Sequence, residues 1–277
     1  MTPLVSIIVP TRNSAVVLQA CLNSIKQQTY KNIELVIVDN NSTDNTLVIA
    51  KSFTNQVFSK GPERSAQRNL GARQAHGDYL LFIDSDMKLS PQVVASCVEK
   101  IQNNPQTKAI IIPEESFGEG FWAQCKKLER SFYIGVDWME AARFFTRDAF
   151  EEASGFDENM ISGEDWDLSQ RVGKKYPIDS IDQFIYHNEG KVSLRQIIKK
   201  KFYYARNLTQ YQSVPANKIK LKYQASIKKR YLLFLSDRKK LFSTPLTSAG
   251  MLFMKSCEFG FGGVGYLFGK IKAKRRQ

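Results

Sequence analysis

Asp84 and Asp86 stand one residue apart, directly after the apolar run Tyr79-Leu80-Leu81-Phe82-Ile83. An unbroken run of this kind reads as a strand buried on both faces. In extended backbone, positions i and i+2 face the same side. The two carboxylates therefore meet one site at the carboxyl end of a strand, where open α/β sheets bind ligands. Close carboxylates repel unless positive charge lies between them. A divalent cation with its diphosphate ligand meets that need, because hard cations take oxygen ligands. The same three residues also suit a solvated turn before a helix from about Ser90 to Gln102, so the bare pattern leaves both readings open.

The elements around this pair repeat a simple alternation. Val5-Ser6-Ile7-Ile8-Val9-Pro10 reads as a first buried strand, followed by the polar loop Thr11-Arg12-Asn13-Ser14. Val17, Leu18, Cys21, Leu22 and Ile25 then recur at helical spacing. A second strand, Glu34 to Val38, ends in Asp39, and Asn40 to Asp44 form a turn that caps a helix near Thr46. Val57-Phe58 is a short strand; Arg64 to Ala75 is helical, with His76-Gly77 as its C-cap. Ala109 to Ile112 continues the pattern. Strand and helix alternating in this way predict an α/β fold with a mostly parallel, Rossmann-like sheet flanked by helices. Beyond Pro113 the pattern changes. Glu114 to Gly120 reads as a surface loop, Phe121 to Ile134 as a helix and Arg143 to Thr146 as a strand. Glu164-Asp165-Trp166-Asp167 opens a helix running to about Lys174, and Ile181 to His187 reads as a last strand.

Composition narrows the class. An apolar content of 43% with 12% aromatics suits a folded core. Cys21, Cys97, Cys125 and Cys257 include no Cys-x-x-Cys pair, which argues against both zinc and a disulfide framework, and two histidines exclude a His-based zinc site. The amino terminus enters a strand pattern with no signal-type run, so a reducing cytoplasm is the expected setting. The matches to the glycosylation pattern at Asn40 and Asn207 then carry no meaning. The net charge of +13 is uneven: residues 191–277 hold 21 Lys and Arg against Asp237 and Glu258 alone, a balance of +19. That asymmetry predicts a domain boundary near residue 190, with a catalytic domain over 1–190 and a basic extension over 191–277.

Four segments, in order, resemble the inverting family-2 glycosyltransferases: Val5 to Asn13, Ile37 to Asp44, Gln67 to Ala72 with Gly77 to Asp86, and Gly155 to Glu158 with Gly163 to Asp167. The resemblance covers about residues 3–190. It implies a GT-A fold and a nucleotide-sugar donor. It places Pro10, Arg12, Asn13, Asp39, Arg68, Asp84, Ser85 and Asp86 at the donor, with Asp39 accepting hydrogen bonds from a base or ribose, as acidic groups do in dinucleotide folds. It implies Mn²⁺ or Mg²⁺ held by Asp84 and Asp86, with His187 as a third ligand or a structural residue. Inverting transfer needs a base on the far face of the sugar; Asp165 is the choice and Glu164 the alternative. Both also fit ordinary first-turn helix chemistry. Arg64 suits phosphate or a solvated helix start, and Trp138 and Trp166 suit a sugar platform or the core. The family's Gly-rich acceptor loop is missing, since no glycine follows Gly135 before Phe144.

The basic extension mixes lysines and arginines with tyrosines and apolar clusters such as Leu232-Leu233-Phe234-Leu235. The region Leu246 to Phe268 is broken by Lys255 and Glu258, which leaves it short of a spanning segment. An amphipathic extension lying peripherally on the anionic inner face of a membrane is expected, ending in Lys270 to Arg276, and it would suit a lipid-linked or other saccharide acceptor. Two rival readings fit parts of the sequence. Gly118-Glu119-Gly120 and Gly260-Phe261-Gly262 open weak dinucleotide patterns, but neither follows the first strand, which argues against an oxidoreductase. The basic charge alone would also suit nucleic acid; none is expected here.

Overall fold

Strand and helix alternate from the start of the chain, in a computed structural model that describes residues 2–274. The order is β1 (Val5–Thr11), α1 (Ala15–Lys26), β2 (Ile33–Asp39), α2 (Thr46–Lys51), β3 (Val57–Ser59), α3 (Arg64–Gln74), β4 (Tyr79–Phe82), β5 (Met87–Leu89), α4 (Val93–Asn103) and β6 (Ala109–Ile111). Then come β7 (Glu114–Glu119), α5 (Phe121–Ser131), β8 (Ala142–Thr146), α6 (Arg147–Glu152), α7 (Glu164–Gly173), β9 (Ile178–Ser180) and β10 (Ile185–Lys191). Six helices close the chain: α8 (Leu194–Arg206), α9 (Thr209–Ser213), α10 (Pro215–Gln224), α11 (Ile227–Ser236), α12 (Arg238–Ser243) and α13 (Pro245–Lys274). The chain forms two compact units. The first gathers the chain up to Pro113 with Ala141–Asn159 and Glu164–His187; the second gathers Glu114–Glu140, Met160–Gly163 and the chain from Asn188 onward.

In the first unit seven strands lie in the order β3-β2-β1-β4-β8-β6-β9. β1 pairs in parallel with both β2 and β4, while β8 runs antiparallel between β4 and β6. Successive side chains of a strand face opposite sides, and here both sides are buried. Val5, Ile7 and Val9 pack with Leu18 and Leu22 of α1 and Val94 of α4. Ile8, Val36 and Val38 pack on the other side with Ala72 of α3 and Leu168 of α7. Helix α3 comes close because Gly71 has no side chain: a Cβ there would sit 2.4 Å from the Ile8 side chain. This layering carries the ends of β1, β2 and β4 to the same edge of the sheet. Beside it, β5 pairs antiparallel with the start of β10, His187 opposite Met87.

Several boundaries differ from the sequence pattern. Glu114–Glu119 is strand β7, not a loop. Its charges are neutralised within the second unit, Glu114 by Arg130 and Glu115 by Lys127 at 2.7 Å, so acidic side chains do not force it into irregular structure. The expected last strand, Ile181 to His187, is extended in a ladder only from Ile185, where β10 begins, and β9 lies just before it; β10 continues through polar residues because Glu189 meets Ser116 at 2.8 Å. Helix α4 starts at Val93 rather than Ser90. Gly77 is not a C-cap: α3 ends at Gln74, and Ala75 is extended. Gly77 instead passes β1, where a Cβ would lie 2.5 Å from Ser6 Oγ and 2.8 Å from the Leu4 carbonyl. His76 packs its ring nitrogen against Glu34 at 2.8 Å.

The second unit is mainly helical. Cys125 and Phe132 pack with Ile197, Phe234, Met251 and Met254. Between α5 and α13 lie four buried or nearly buried charges. Lys126 pairs with Glu129 at 3.2 Å and Glu258 at 2.6 Å, and Lys255 pairs with both glutamates. Burial alone would push both carboxyls up, but the two ammonium groups hold them low. No helix among the described residues is long and apolar enough to cross a membrane. Arg275 and Arg276, expected to meet anionic lipid, lie outside the described residues.

Candidate active site

Two loops at the edge of the sheet are joined by side chains. Asp39, at the end of β2 and 1% exposed, accepts from the Thr11 hydroxyl at 2.8 Å, the Ser42 amide at 2.8 Å and the Ser42 hydroxyl at 2.5 Å. Asn13 adopts φ +48°, a conformation asparagine tolerates better than most residues. Its amide donates to Ser42 Oγ at 2.7 Å, and its side-chain oxygen accepts from the Thr43 amide at 2.8 Å. Gln67 from α3 donates to the carbonyls of Thr11 and Val38 at 3.0 and 2.6 Å. A third loop joins through the Ser14 and Ser85 hydroxyls, 2.9 Å apart, with Ser85 standing between the two aspartates. Pro10 is buried in β1 and Arg12 is exposed, with no ion pair among the described residues.

The aspartates themselves diverge. Asp84 turns toward Arg68, whose Nη2 donates to it at 2.7 Å; Arg64 and Arg143 stand 3.9 Å away. Burial would raise the Asp84 pKa, but these guanidinium groups, Arg68 foremost, hold it far below the usual carboxylate range. Asp86 is 39% exposed at its side chain and lies 3.3 Å from His187 Nε2. That is an oxygen and a nitrogen donor side by side and open to solvent, a set that suits Mn²⁺. Of the three expected metal ligands, then, two stand together and Asp84 is engaged elsewhere. Among the described residues no group of three or more His, Cys, Asp or Glu side chains gathers in a metal-binding arrangement.

Arg68 is fully buried. Its Nη1 donates to Asp165 Oδ1 at 2.8 Å and lies 3.5 Å from Glu164 Oε1, and the guanidinium carbon lies 5.1 Å from the centre of the Phe156 ring. Burial opposes its charge, yet Asp165 and Asp84 outweigh that and raise its pKa. The helix carrying Arg68 is fixed to the segment before α7 by the next residue: the Asn69 side chain donates to the Phe156 carbonyl at 2.8 Å and accepts from the Phe156 amide at 2.9 Å. Glu164 is almost wholly buried and meets Arg64 at 3.2 Å. Burial first, then the neighbouring Asp165, raises its pKa. Asp165 is 30% exposed at its side chain. Trp166 follows it, half-buried. Trp138 belongs to the second unit, where the Arg230 guanidinium sits 5.4 Å from the ring centre.

The sequence reading missed Gln67, Ser14 and Arg143. The first two are polar types without a chemical signature of their own. Arg143 in sequence shows only the pattern of a strand residue.

A seven-stranded, mostly parallel α/β sheet with acidic side chains at the carboxyl ends of two parallel strands is the open-sheet architecture that binds ligands at such an edge. Residues 6–153 match the family Glycosyl transferase family 2, and the chain belongs to that family. It is 37% identical over 123 residues to an uncharacterized glycosyltransferase of Haemophilus influenzae, a match covering 43% of this chain and 42% of that protein. It is 32% identical over 108 residues to a GalNAc(5)-diNAcBac-PP-undecaprenol beta-1,3-glucosyltransferase of Campylobacter jejuni, covering 35% and 34% of the two chains. These matches span less than half the length of either relative. In fold it resembles the mannosyltransferase PcManGT of Pyrobaculum calidifontis, described in complex with GDP-Man and Mn²⁺. There the TM-score is 0.66 at 16% identity, over 98% of this chain and 88% of that one. Staphylococcus aureus TarS gives a TM-score of 0.55 at 21% identity, over 87% of this chain and 45% of that one. The fold is GT-A.

Proposed function

We propose that this chain transfers a glycosyl group from a nucleotide diphosphate sugar to an acceptor hydroxyl, with inversion and with Mn²⁺ or Mg²⁺. The observation that carries this reading is the double grip of Arg68, which brings Asp84, on the donor side, and Asp165, on the acceptor side, to one guanidinium. In the proposed reaction the acceptor oxygen bonds to the anomeric carbon as the bond to the diphosphate oxygen breaks. Asp165 takes the acceptor proton. It is favoured over Glu164 because it is the more exposed, and because Arg68 occupies Oδ1 while Oδ2 has no hydrogen bond among the described residues. Asp39, with Pro10, Arg12, Asn13 and Ser85 around it, is assigned to the nucleoside and ribose. Asp86 and His187 are the residues that would hold the metal. When bound, it would offset the charge developing on the diphosphate leaving group.

The Campylobacter relative's name specifies a lipid-linked saccharide, which supports a saccharide or lipid-linked acceptor for this chain. The +19 balance over residues 191–277 supports peripheral association with an anionic inner membrane face. The test is a panel of UDP-, GDP- and dTDP-sugars with Mn²⁺ or Mg²⁺, following nucleotide release. Metal-dependent release is expected with one of them, and release with none would overturn the assignment.

A further inference from the structure

Lys255 and Glu258 interrupt the apolar sequence of α13, yet neither reaches its outer face. Both are about 3% exposed and are neutralised by Lys126 and Glu129 of α5. Most of what α13 offers to solvent is therefore apolar, with Ser256 and Lys270 as exposed polar exceptions. Leu246, Phe253, Phe261, Val264, Leu267 and Ile271 are each 45–76% exposed and recur at helical spacing. At 1.5 Å per residue this stripe extends for roughly 38 Å. Alongside it, α8 and Phe261 line a groove of about 580 Å³, formed by Leu194, Ile198 and Phe202 with Arg195 and Lys199 at its border. Both cations are exposed and carry no ion pair among the described residues.

We propose that this stripe and groove are the face on which an anionic phospholipid leaflet docks. The helix lies along the bilayer, acyl segments enter the groove, and Arg195 and Lys199 take headgroup phosphates. The inference deepens the membrane association proposed above and rests on it, by naming the surface and the lipid chemistry. An anionic leaflet fits better than a second copy docking through its own matching face, because the groove is bordered by cations and the chain from residue 191 has only Asp237 and Glu258 to offer them. Glu258 is buried and already paired. An interfacial helix with aromatic and aliphatic groups on one side and cations beside them has the required chemistry.

The experiment is flotation of the full chain with vesicles of phosphatidylcholine, or of phosphatidylcholine and phosphatidylglycerol at roughly three to one. Wild type should float with the mixed vesicles and much less with the neutral ones. Phe261→Glu, Leu267→Glu and the double variant Arg195→Glu/Lys199→Glu should each lower the bound fraction by at least about tenfold. Val48→Glu, on the exposed face of α2, should float as wild type does. Thermal unfolding and donor-nucleotide binding, read on every variant, separate a folding defect from a docking defect. Loss of nucleotide binding throughout counts against the proposed reaction, not the docking face. Unchanged flotation of Phe261→Glu would overturn the proposal, since charge alone would then suffice. So would equal flotation with neutral vesicles. A dimer by light scattering that Phe261→Glu dissolves, with no flotation, would assign the face to a second copy instead.

Discussion

Arg68 Nη1 and Asp165 Oδ1 lie 2.8 Å apart, and the same guanidinium holds Asp84 at 2.7 Å through its other terminal nitrogen. One buried cation thereby ties the end of β4 to the start of α7. Bidentate reach of this kind belongs to a planar guanidinium and not to an ammonium group. Arg68→Lys should therefore lower transfer by about 10²-fold or more through misplacement of the carboxylates. Steady-state kinetics with the accepted donor would check it, and kcat should fall far more than donor affinity.

Asp165→Asn keeps the shape and removes the proposed proton acceptor. Donor binding should persist while transfer falls by about 10²- to 10⁴-fold, the usual contribution of a positioned base. Glu164→Gln, at a buried and Arg64-paired position, should fall less. The reverse order would exchange the two roles.

Removal of divalent metal with a chelator should abolish turnover in wild type, and turnover should return when Mn²⁺ is added back. Asp86→Ala should lower turnover by at least about 10²-fold. His187→Ala should instead raise the metal concentration needed for half-maximal rate. A titration of Mn²⁺ against rate separates these outcomes.

Glu34 predicts a pH signature in stability. Its carboxylate accepts from the Ser6 hydroxyl at 2.6 Å, the His76 amide at 2.8 Å and the Gln56 amide at 3.1 Å. Burial would raise its pKa, but these bonds lower it from 4.5 to about 2. A depressed folded-state pKa favours the ionised folded form. Its contribution is thus complete above pH 4.5 and fades as pH falls toward 2. Denaturant unfolding should show Glu34→Gln less stable than wild type by about 2 kcal/mol near neutrality, with the gap closing across that window.

The charges between α5 and α13 make a separate prediction. Glu129→Gln leaves Lys126 and Lys255 sharing Glu258, and should cost about 3 kcal/mol or more. Glu129→Leu combined with Lys255→Met leaves Lys126 and Glu258 as one pair and should recover most of that loss. Chemical denaturation of the three proteins checks it.

The parallel strands were legible because burial on both faces leaves an unbroken apolar run, as in Val5 to Val9 and Tyr79 to Ile83. Their carboxyl-end aspartates followed directly from chain order. Arg68 was legible only as a residue of a motif. Nothing in its type announces full burial, because arginines are ordinarily at the surface, and its partners lie 16 and 97 positions away. Strand β7 was hidden for a related reason: Glu114 and Glu115 look solvated until Arg130 and Lys127 are placed beside them. Lys255 and Glu258 correctly marked a segment that does not span, but their inward direction was hidden, since a linear reading cannot tell an inward charge from an outward one.

The hydroxyl and amide contacts joining Thr11, Asn13, Ser14, Asp39, Ser42 and Ser85 brace three loops against one another at the site proposed for the nucleotide. A ligand entering there finds walls already set, so little of its interaction energy goes into ordering the chain. Discrimination among bases would then follow the shape of a rigid mould more than any adaptation to the guest.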